Sequence, residues 1–402
     1  MIIEQSSRMM RKSFESTVYR FRKIPEVDVD GEFGIYVHVP FCLSRCSFCP
    51  FYKELYDEDQ KDRYVSAILQ EIEEADVKGR AKWVYFGGGT PNLLSTDELR
   101  WIVDAIQKKV DVDQIGIELL PARITESYLR GLREIGFTKV SIGVESLSEP
   151  LMLGTGRRIT KQEQIGTHIA TARALGFWVN VDLMVGLPDQ SPHTFLSDVR
   201  ATAEMQPSQV TTYPFMVVRG MESTPGVPPD RQFALIEEAY DTLREHGYAR
   251  KSIWTFAQGD DVYDSSRDEL IEDYVGFGPA AFSTYGGWKI VNPELEVYLR
   301  AVSTGEKAGF VAPKQPSADH WRTFARRIYD LRGDHFADLP VPIRGFAALL
   351  NWTGYIRNGT LSEKGILFSH AISKTVVESL PFPVQNPACV ENYEEYVEYR
   401  SS

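Results

Sequence analysis

The sequence predicts an α/β protein: six β/α units forming an incomplete, open-sided (β/α)6 barrel, followed by a small, mostly helical C-terminal accessory domain. Three observations predict it. Between Glu32 and Tyr248 short β-rich runs alternate with amphipathic stretches of helical period. Several runs are apolar at nearly every position, as in parallel strands covered on both faces. A glycine-rich loop follows the second run and not the first, where a flat doubly wound sheet, the alternative architecture, would carry it.

The runs are Ile35–Pro40, Lys82–Gly88, Ile115–Pro121, Lys139–Ser146, Val179–Pro188 and Gln209–Phe215. Parallel strands need right-handed crossovers, and helices between the runs supply them. Their starts are legible. Ser95–Glu98 and Thr160–Glu163 fit a capping box, in which each side chain satisfies a free backbone N–H of the first turn. Ser191-Pro192 reads as an N-cap followed by proline at the first helical position. Tyr64, Ile68 and Ile72 recur on one helix face. Gly136, Gly176 and Gly247 each precede an aromatic residue and read as left-handed helix stops. A closed eight-unit barrel takes roughly 250 residues, so six units imply an open side.

The punctuation then changes. Arg219–Arg231 is a Pro/Gly-rich connection, and Gly276–Gly287 is a small-residue segment that permits close backbone approach. The organisation expected is an N-terminal arm (1–33), the barrel (34–250), a barrel-closing linker with the Gly-rich segment (251–316), the helical accessory domain (317–380) and an acidic, Tyr-rich tail (381–402). The tail is either loosely ordered or laid along the body.

The 402 residues carry 44 basic and 56 acidic side chains, a formal net charge of −12. No basic excess is present to displace phosphate counterions, so duplex nucleic acid is not expected as a partner. No apolar run approaches the ~18 residues of a membrane span, and the N-terminus lacks the apolar core of a secretion signal. No membrane partner is expected, and the expected compartment is the cytoplasm.

Three of the four cysteines, Cys42, Cys46 and Cys49, fall in a C-x₃-C-x₂-C loop directly after the first strand. Thiolates in that spacing suit an iron–sulfur cluster or zinc in a reducing compartment. Structural zinc takes four ligands, and so does a cluster used only for electron transfer. Three ligands leave one iron open for chemistry. A zinc site and unligated thiols stay as alternatives, with His38 a conceivable fourth ligand and Cys389 far off in the tail.

The motifs extend beyond the cysteines. Tyr36-x-His38-x-Pro40-Phe41-Cys42, Phe48-Cys49, Gly87-Gly88-Gly89-Thr90-Pro91, Ser141–Ser146 and Asp182-Leu183-x-x-Gly186-Leu187-Pro188 each stand at a strand end, in that order. Together they resemble radical S-adenosylmethionine (SAM) enzymes. More narrowly, they resemble the branch of oxygen-independent coproporphyrinogen III oxidase-like proteins, which includes haem chaperones and class C radical SAM methylases. The resemblance covers roughly residues 34–300, with a weaker echo at Thr360–Ile366. It implies a partial (β/α)6 radical SAM barrel and a [4Fe–4S] cluster on Cys42, Cys46 and Cys49, whose open iron binds SAM. The implied reaction is reductive cleavage of SAM to a 5′-deoxyadenosyl radical, which takes hydrogen from a small or medium organic substrate. Reduced flavodoxin or ferredoxin would be the electron donor. Since many of those are acidic, an acidic chain meets them with like charge.

The resemblance also assigns roles. Tyr36 would touch cluster-bound SAM and Phe48 would pack beside the cluster. Gly87, Gly88, Gly89 and Thr90 would set backbone against the SAM methionyl amine, where side chains would obstruct the approach. Glu118 would bind SAM polar groups, Arg157 a carboxylate and Asp182 a hydroxyl or amine. Tyr36, Glu118 and Glu145 are the residues placed closest to the chemistry. Glu145 stands where much of the branch has glutamine, which puts contacts to a second SAM in question. Lys139 and Ile159 replace a common arginine and histidine. Pro50-Phe51 follows Cys49 where authentic coproporphyrinogen oxidases have a further cysteine, and the arm before the first strand is short for such an oxidase. Where haem chaperones carry a His-Asn-x-x-Tyr-Trp motif, this chain reads Tyr263–Asp268 and has no haem-ligating histidine. Methyl or methylene transfer, which would draw on a second SAM, is the reaction weighted first, ahead of an unassigned radical reaction and then porphyrinogen decarboxylation. Non-enzymatic haem binding is the alternative to the enzyme class as a whole.

Overall fold

The computed structural model describes residues 2–218, 226–259 and 273–401. The first part of the Arg219–Arg231 connection and the whole Tyr263–Asp268 segment lie outside the described residues.

All six predicted runs are strands: β1 (Glu32–Val39), β2 (Arg80–Gly88), β3 (Ile115–Leu119), β4 (Lys139–Glu145), β5 (Trp178–Val185) and β6 (Gln209–Pro214). They pair in parallel in sequence order. β1 and β6 are not partners of each other, so the parallel sheet has an open side. On each strand one face is apolar and fully buried, through Ile35, Val37 and Val39 on β1 and Val179, Val181, Leu183 and Val185 on β5, while the alternate face carries polar groups such as His38 and Asn180 that are themselves buried.

The intervening helices begin and end largely where the sequence places them. Ser95 and Glu98 form the reciprocal capping box, Ser191 caps the helix Pro192–Glu204, and Gly136 ends the helix Glu126–Ile135 in the left-handed region. Thr160 does not cap its helix. That helix starts at Gln162, with Lys161 at the cap position and the Gln164 side chain accepting from the Lys161 N–H. Only one half of a box is therefore present, one residue later than predicted, because the Lys161 side chain has no acceptor to offer in return.

Beyond the barrel, the sheet continues. Strand Tyr274–Phe277 pairs in parallel with β1 on its free edge. Phe282–Tyr285, Trp288–Val291 and Ala308–Pro313 follow as antiparallel neighbours, and Arg20–Lys23 closes that edge. At the opposite edge Thr255–Ala257 runs antiparallel to β6. The Gly276–Gly287 segment does permit close approach: a Cβ on Gly276 would collide with the Phe282 carbonyl oxygen, and one on Gly278 would lie 2.6 Å from that of His38.

A second core joins the two ends of the chain. The N-terminal helix Ile2–Glu15 packs on the helices Pro316–Tyr329 and Glu363–Glu378 through Met10, Phe14, Phe324, Ile328, Phe368 and Ile372. The tail lies along the body: Tyr396, from the helix Tyr393–Ser401, sets its ring steeply tilted against those of Phe21 and Phe310, and Val390 bridges Tyr19.

Phe14 is fully buried, with the Arg322 guanidinium 4.8 Å from its ring centroid. Phe14→Ala should lower unfolding stability by about 3–4 kcal/mol, read in a denaturant titration. A loss below about 1 kcal/mol would show that the N-terminal helix contributes little to the second core.

Candidate active site

Cys42, Cys46 and Cys49 sit in the loop that leaves the C-terminal end of β1, where parallel α/β sheets place their ligand sites. Both ends of the loop are tied. Phe41–Cys42 pairs with Glu54–Leu55, and the Tyr56 N–H donates to the Cys42 carbonyl at 2.9 Å. Inside the loop the Cys49 N–H donates to the Cys46 carbonyl, and the Ser47 N–H reaches the Thr155 carbonyl at 3.0 Å. The Lys53 ammonium donates to the carbonyls of Cys49 and Phe51. Thr90 Oγ donates to Cys42 Sγ at 3.6 Å. Burial pushes the Cys42 thiol up to about 11 and that of Cys49 upward as well.

Phe48 packs with Met152, Leu187 and Phe215 into an apolar wall against Cys46 and Cys49. Among the described residues no three His, Cys, Asp or Glu side chains converge as a single-ion site. A cubane asks for something else, one thiolate at each of three separate irons, and three thiols spread along one loop meet that demand. Cys389 takes no part: it is buried in the tail, its Sγ donating to the Asn386 carbonyl.

The glycines beside the loop have a reason the sequence did not show. A Cβ on Gly88, whose φ is +109°, would lie 2.7 Å from the His38 imidazole; one on Gly89 would lie 2.6 Å from the Phe41 carbonyl. On Gly87 it would crowd the rings of Tyr36 and Tyr85 and the Glu118 carboxylate at about 3 Å. The space a side chain would take is occupied by the protein itself. These glycines let β2 approach the root of the cysteine loop.

The adjacent strands bring the predicted polar residues together. Tyr36 on β1 stands opposite Tyr85 on β2, the rings stacked, and its hydroxyl meets His38 Nδ1 at 3.1 Å. Burial lowers His38 to about 4, so it is neutral. Tyr85 donates to Glu118 Oε1 at 2.8 Å. Glu145 ends β4 at a register shift, with φ at +66°, a left-handed conformation that is uncommon for a residue with a side chain. Its carboxylate lies 3.4 Å from Arg157, which also donates to the Gly143 carbonyl and lies beside the Phe48 ring. Asp182 on β5 accepts from Ser141 Oγ and from Asn180 Nδ2. Three carboxylates thus share one mostly buried region with a single guanidinium. Burial pushes Glu118 up to about 7, against the Tyr85 hydroxyl, with the Glu145 charge adding to the rise. Burial and then Glu145 push Asp182 up to about 8. Burial also raises Glu145, against Arg157.

Sequence reasoning named every one of these charged groups but missed their supports. Tyr85 holds Glu118, while Asn180 and Thr211, whose hydroxyl donates to Asn180 Oδ1 at 2.9 Å, form a polar row running inward from Asp182. Their alternation with apolar neighbours along β2, β5 and β6 was the available signal.

Residues 36–201 match the Radical SAM superfamily. The chain carries a radical SAM domain. Its cofactors are a [4Fe–4S] cluster and SAM. The chain is 28% identical over 279 residues to the heme chaperone HemW of Bacillus subtilis, covering 64% of this chain and 72% of the relative. It is 26% identical over 329 residues to the oxygen-independent coproporphyrinogen III oxidase of Escherichia coli, covering 75% of this chain and 70% of that one. The fold is that of the E. coli coproporphyrinogen III oxidase structure: TM-score 0.71 at 21% identity, over 92% of this chain and 93% of the other. Within the radical SAM domain the three thiols and the apolar wall beside them fit the cluster, and the carboxylate–guanidinium group fits a ligand carrying an ammonium and a carboxylate.

An acid raised by burial holds a proton in the folded protein that the unfolded chain has already released. For Asp182, this lowers stability as pH rises from its ordinary value of 3.8 toward about 8. Asp182→Asn should therefore gain Tm relative to wild type, by about 2–4 °C more at pH 8 than at pH 5, in metal-free protein. An offset that is the same at both pH values would contradict the raised titration.

Proposed function

We propose that this protein is a radical SAM enzyme that reductively cleaves SAM and abstracts hydrogen from a small or medium organic substrate. The observation that carries the reading is the meeting, at one end of a parallel sheet, of a three-cysteine loop with Glu118, Arg157 and Asp182. When bound, the cluster and SAM supply one-electron cleavage of the C5′–S bond and so a 5′-deoxyadenosyl radical.

The chain's own residues bind, orient and exclude water. Cys42, Cys46 and Cys49 would hold the cluster and leave its fourth iron to SAM. Phe48, Met152, Leu187 and Phe215 keep water from that side of the loop. Arg157, already charged and facing the loop, suits the SAM carboxylate through its planar fork. Glu118, oriented by the Tyr85 hydroxyl, suits an ammonium or a hydroxyl. Asp182, oriented by Ser141 and Asn180, can hold or release a proton near neutral pH. Glu145 brings a second negative charge beside Arg157 where the branch commonly has a neutral amide. That charge suits a cationic or hydroxyl-bearing group better than a polyanion. Within this reading, methyl or methylene transfer would draw on a second SAM, and a reduced flavodoxin or ferredoxin would supply electrons.

A second reading is porphyrinogen decarboxylation or haem delivery, and what supports it is the pair of relatives named above.

The test is anaerobic incubation of the reconstituted brown protein with SAM and dithionite, followed by mass spectrometry. 5′-Deoxyadenosine should form, and alanine at Cys42, Cys46 or Cys49 should reduce it at least about a hundredfold. Coproduction of S-adenosylhomocysteine would identify methyl transfer. A stoichiometric Soret shift with haemin and no 5′-deoxyadenosine would replace this reading with haem delivery.

A further inference from the structure

The helix Glu363–Glu378 of the accessory domain turns a polar stripe inward. His370, Lys374 and Glu378 stand four residues apart and so share one face. Their side chains are only 0%, 8% and 16% exposed. The His370 imidazole accepts from Trp254 Nε1 at 3.1 Å and donates to Glu237 at 2.9 Å. One turn on, the Lys374 ammonium donates to the Phe215 carbonyl. After a further turn Glu378 accepts from the Val217 N–H at 3.0 Å and pairs with Lys374 at 2.9 Å. A covered ion pair is weak evidence for stability, because the loss of water offsets the attraction. What this pair fixes is the path of the backbone just past the end of β6.

That backbone belongs to the wall beside the cysteine loop. Phe215, 2% exposed, packs with Phe48, Met152 and Leu187 against Cys46 and Cys49. Both its backbone groups are tied. Its N–H donates to the Val185 carbonyl at 2.7 Å, at the end of β5, and its carbonyl accepts from Lys374. Its ring has little room to turn: a Cβ on Gly226 would lie 2.5 Å from Phe215 Cδ1. Leu187 is held within its own loop, its N–H donating to the Gln190 side chain at 3.2 Å. Phe215 is held from the accessory domain.

We propose that Lys374 and Glu378 are positioning residues for the cluster site, fixing the backbone at Phe215 and Val217 so that the Phe215 ring stays pressed against Cys46 and Cys49. They act through Phe215. This role rests on the reading above only in that Cys46 and Cys49 hold the cluster. Without the pair, the carbonyl loses its donor, the ring gains freedom, and water reaches two of the three thiols.

The test is the rate at which iodoacetamide alkylates each cysteine in the metal-free, full-length protein, read by mass spectrometry. Cys42, held by Thr90, and Cys389, buried in the tail, serve as internal controls. Lys374→Met should raise alkylation of Cys46 and Cys49 about fivefold and leave Cys42 and Cys389 unchanged. Glu378→Gln, which still accepts from Val217 but releases Lys374, should raise it about twofold. In a Phe215→Ala background, where Cys46 and Cys49 are already uncovered, Lys374→Met should add nothing further. In reconstituted Lys374→Met protein the brown absorbance should fade in air about fivefold faster than in wild type. Unchanged Cys46 and Cys49 rates in both variants would overturn the proposal. So would an equal rise at all four cysteines, which is general loosening, or a full additional effect in the Phe215→Ala background. Wild-type protein that forms no 5′-deoxyadenosine would sink the enzymatic reading and leave the alkylation result standing.

Discussion

A loop that carries three thiols out of the end of a strand has no helix of its own to hold it. Here it is closed at its root by the short pairing of Phe41–Cys42 with Glu54–Leu55 and braced from within by Lys53 on two of its carbonyls. β2 must come close enough for Thr90 to reach Cys42, and that approach exists only because Gly88 and Gly89 have no side chains to strike His38 and Phe41. The apolar wall and the neighbouring carboxylates are positioned relative to this one tethered segment.

Electrostatics then divides the loop's two faces. Toward the barrel, Glu118, Glu145 and Asp182 crowd one guanidinium in a mostly buried region, and burial holds the acids well above their ordinary range. A ligand bearing an ammonium would relieve that crowding, and in the proposed reading its carboxylate would meet Arg157. Toward the C-terminal tail, Arg45 and Arg400 line an open cleft together with their partners Glu54 and Glu294, while the Lys53 ammonium turns back onto the loop's own carbonyls. The separation is sharp because Arg157, between the thiols and the acids, is itself covered.

The C-terminal region is tied to this arrangement and is not an appendage. Lys374 donates to the Phe215 carbonyl, and Glu378 accepts from the Val217 N–H, so the helix Glu363–Glu378 grips the end of β6. His370 lies between Trp254 and Glu237 at the same junction. The N-terminal helix packs against these C-terminal helices, so both ends of the chain brace one side of the barrel.

The six strands, most helix boundaries and the charged groups of the site were legible because they rest on local patterns: apolar runs, capping residues, cysteine spacing and motifs at strand ends. What the sequence could not show was set by contacts between distant segments. The strand Tyr274–Phe277 joins β1 from far along the chain, and nothing local announces that edge. Glu145 reads as an ordinary strand residue until the register shift against β5 turns its backbone left-handed. The three glycines read as room for a ligand, and the packing assigns that room to His38, Phe41 and Tyr36. Composition gave one overall negative charge, while the fold gathered Arg45 and Arg400, from opposite ends of the chain, onto one cleft. Patterns within a few residues fix which elements form and which chemistry is present; only long-range packing decides which face each group meets.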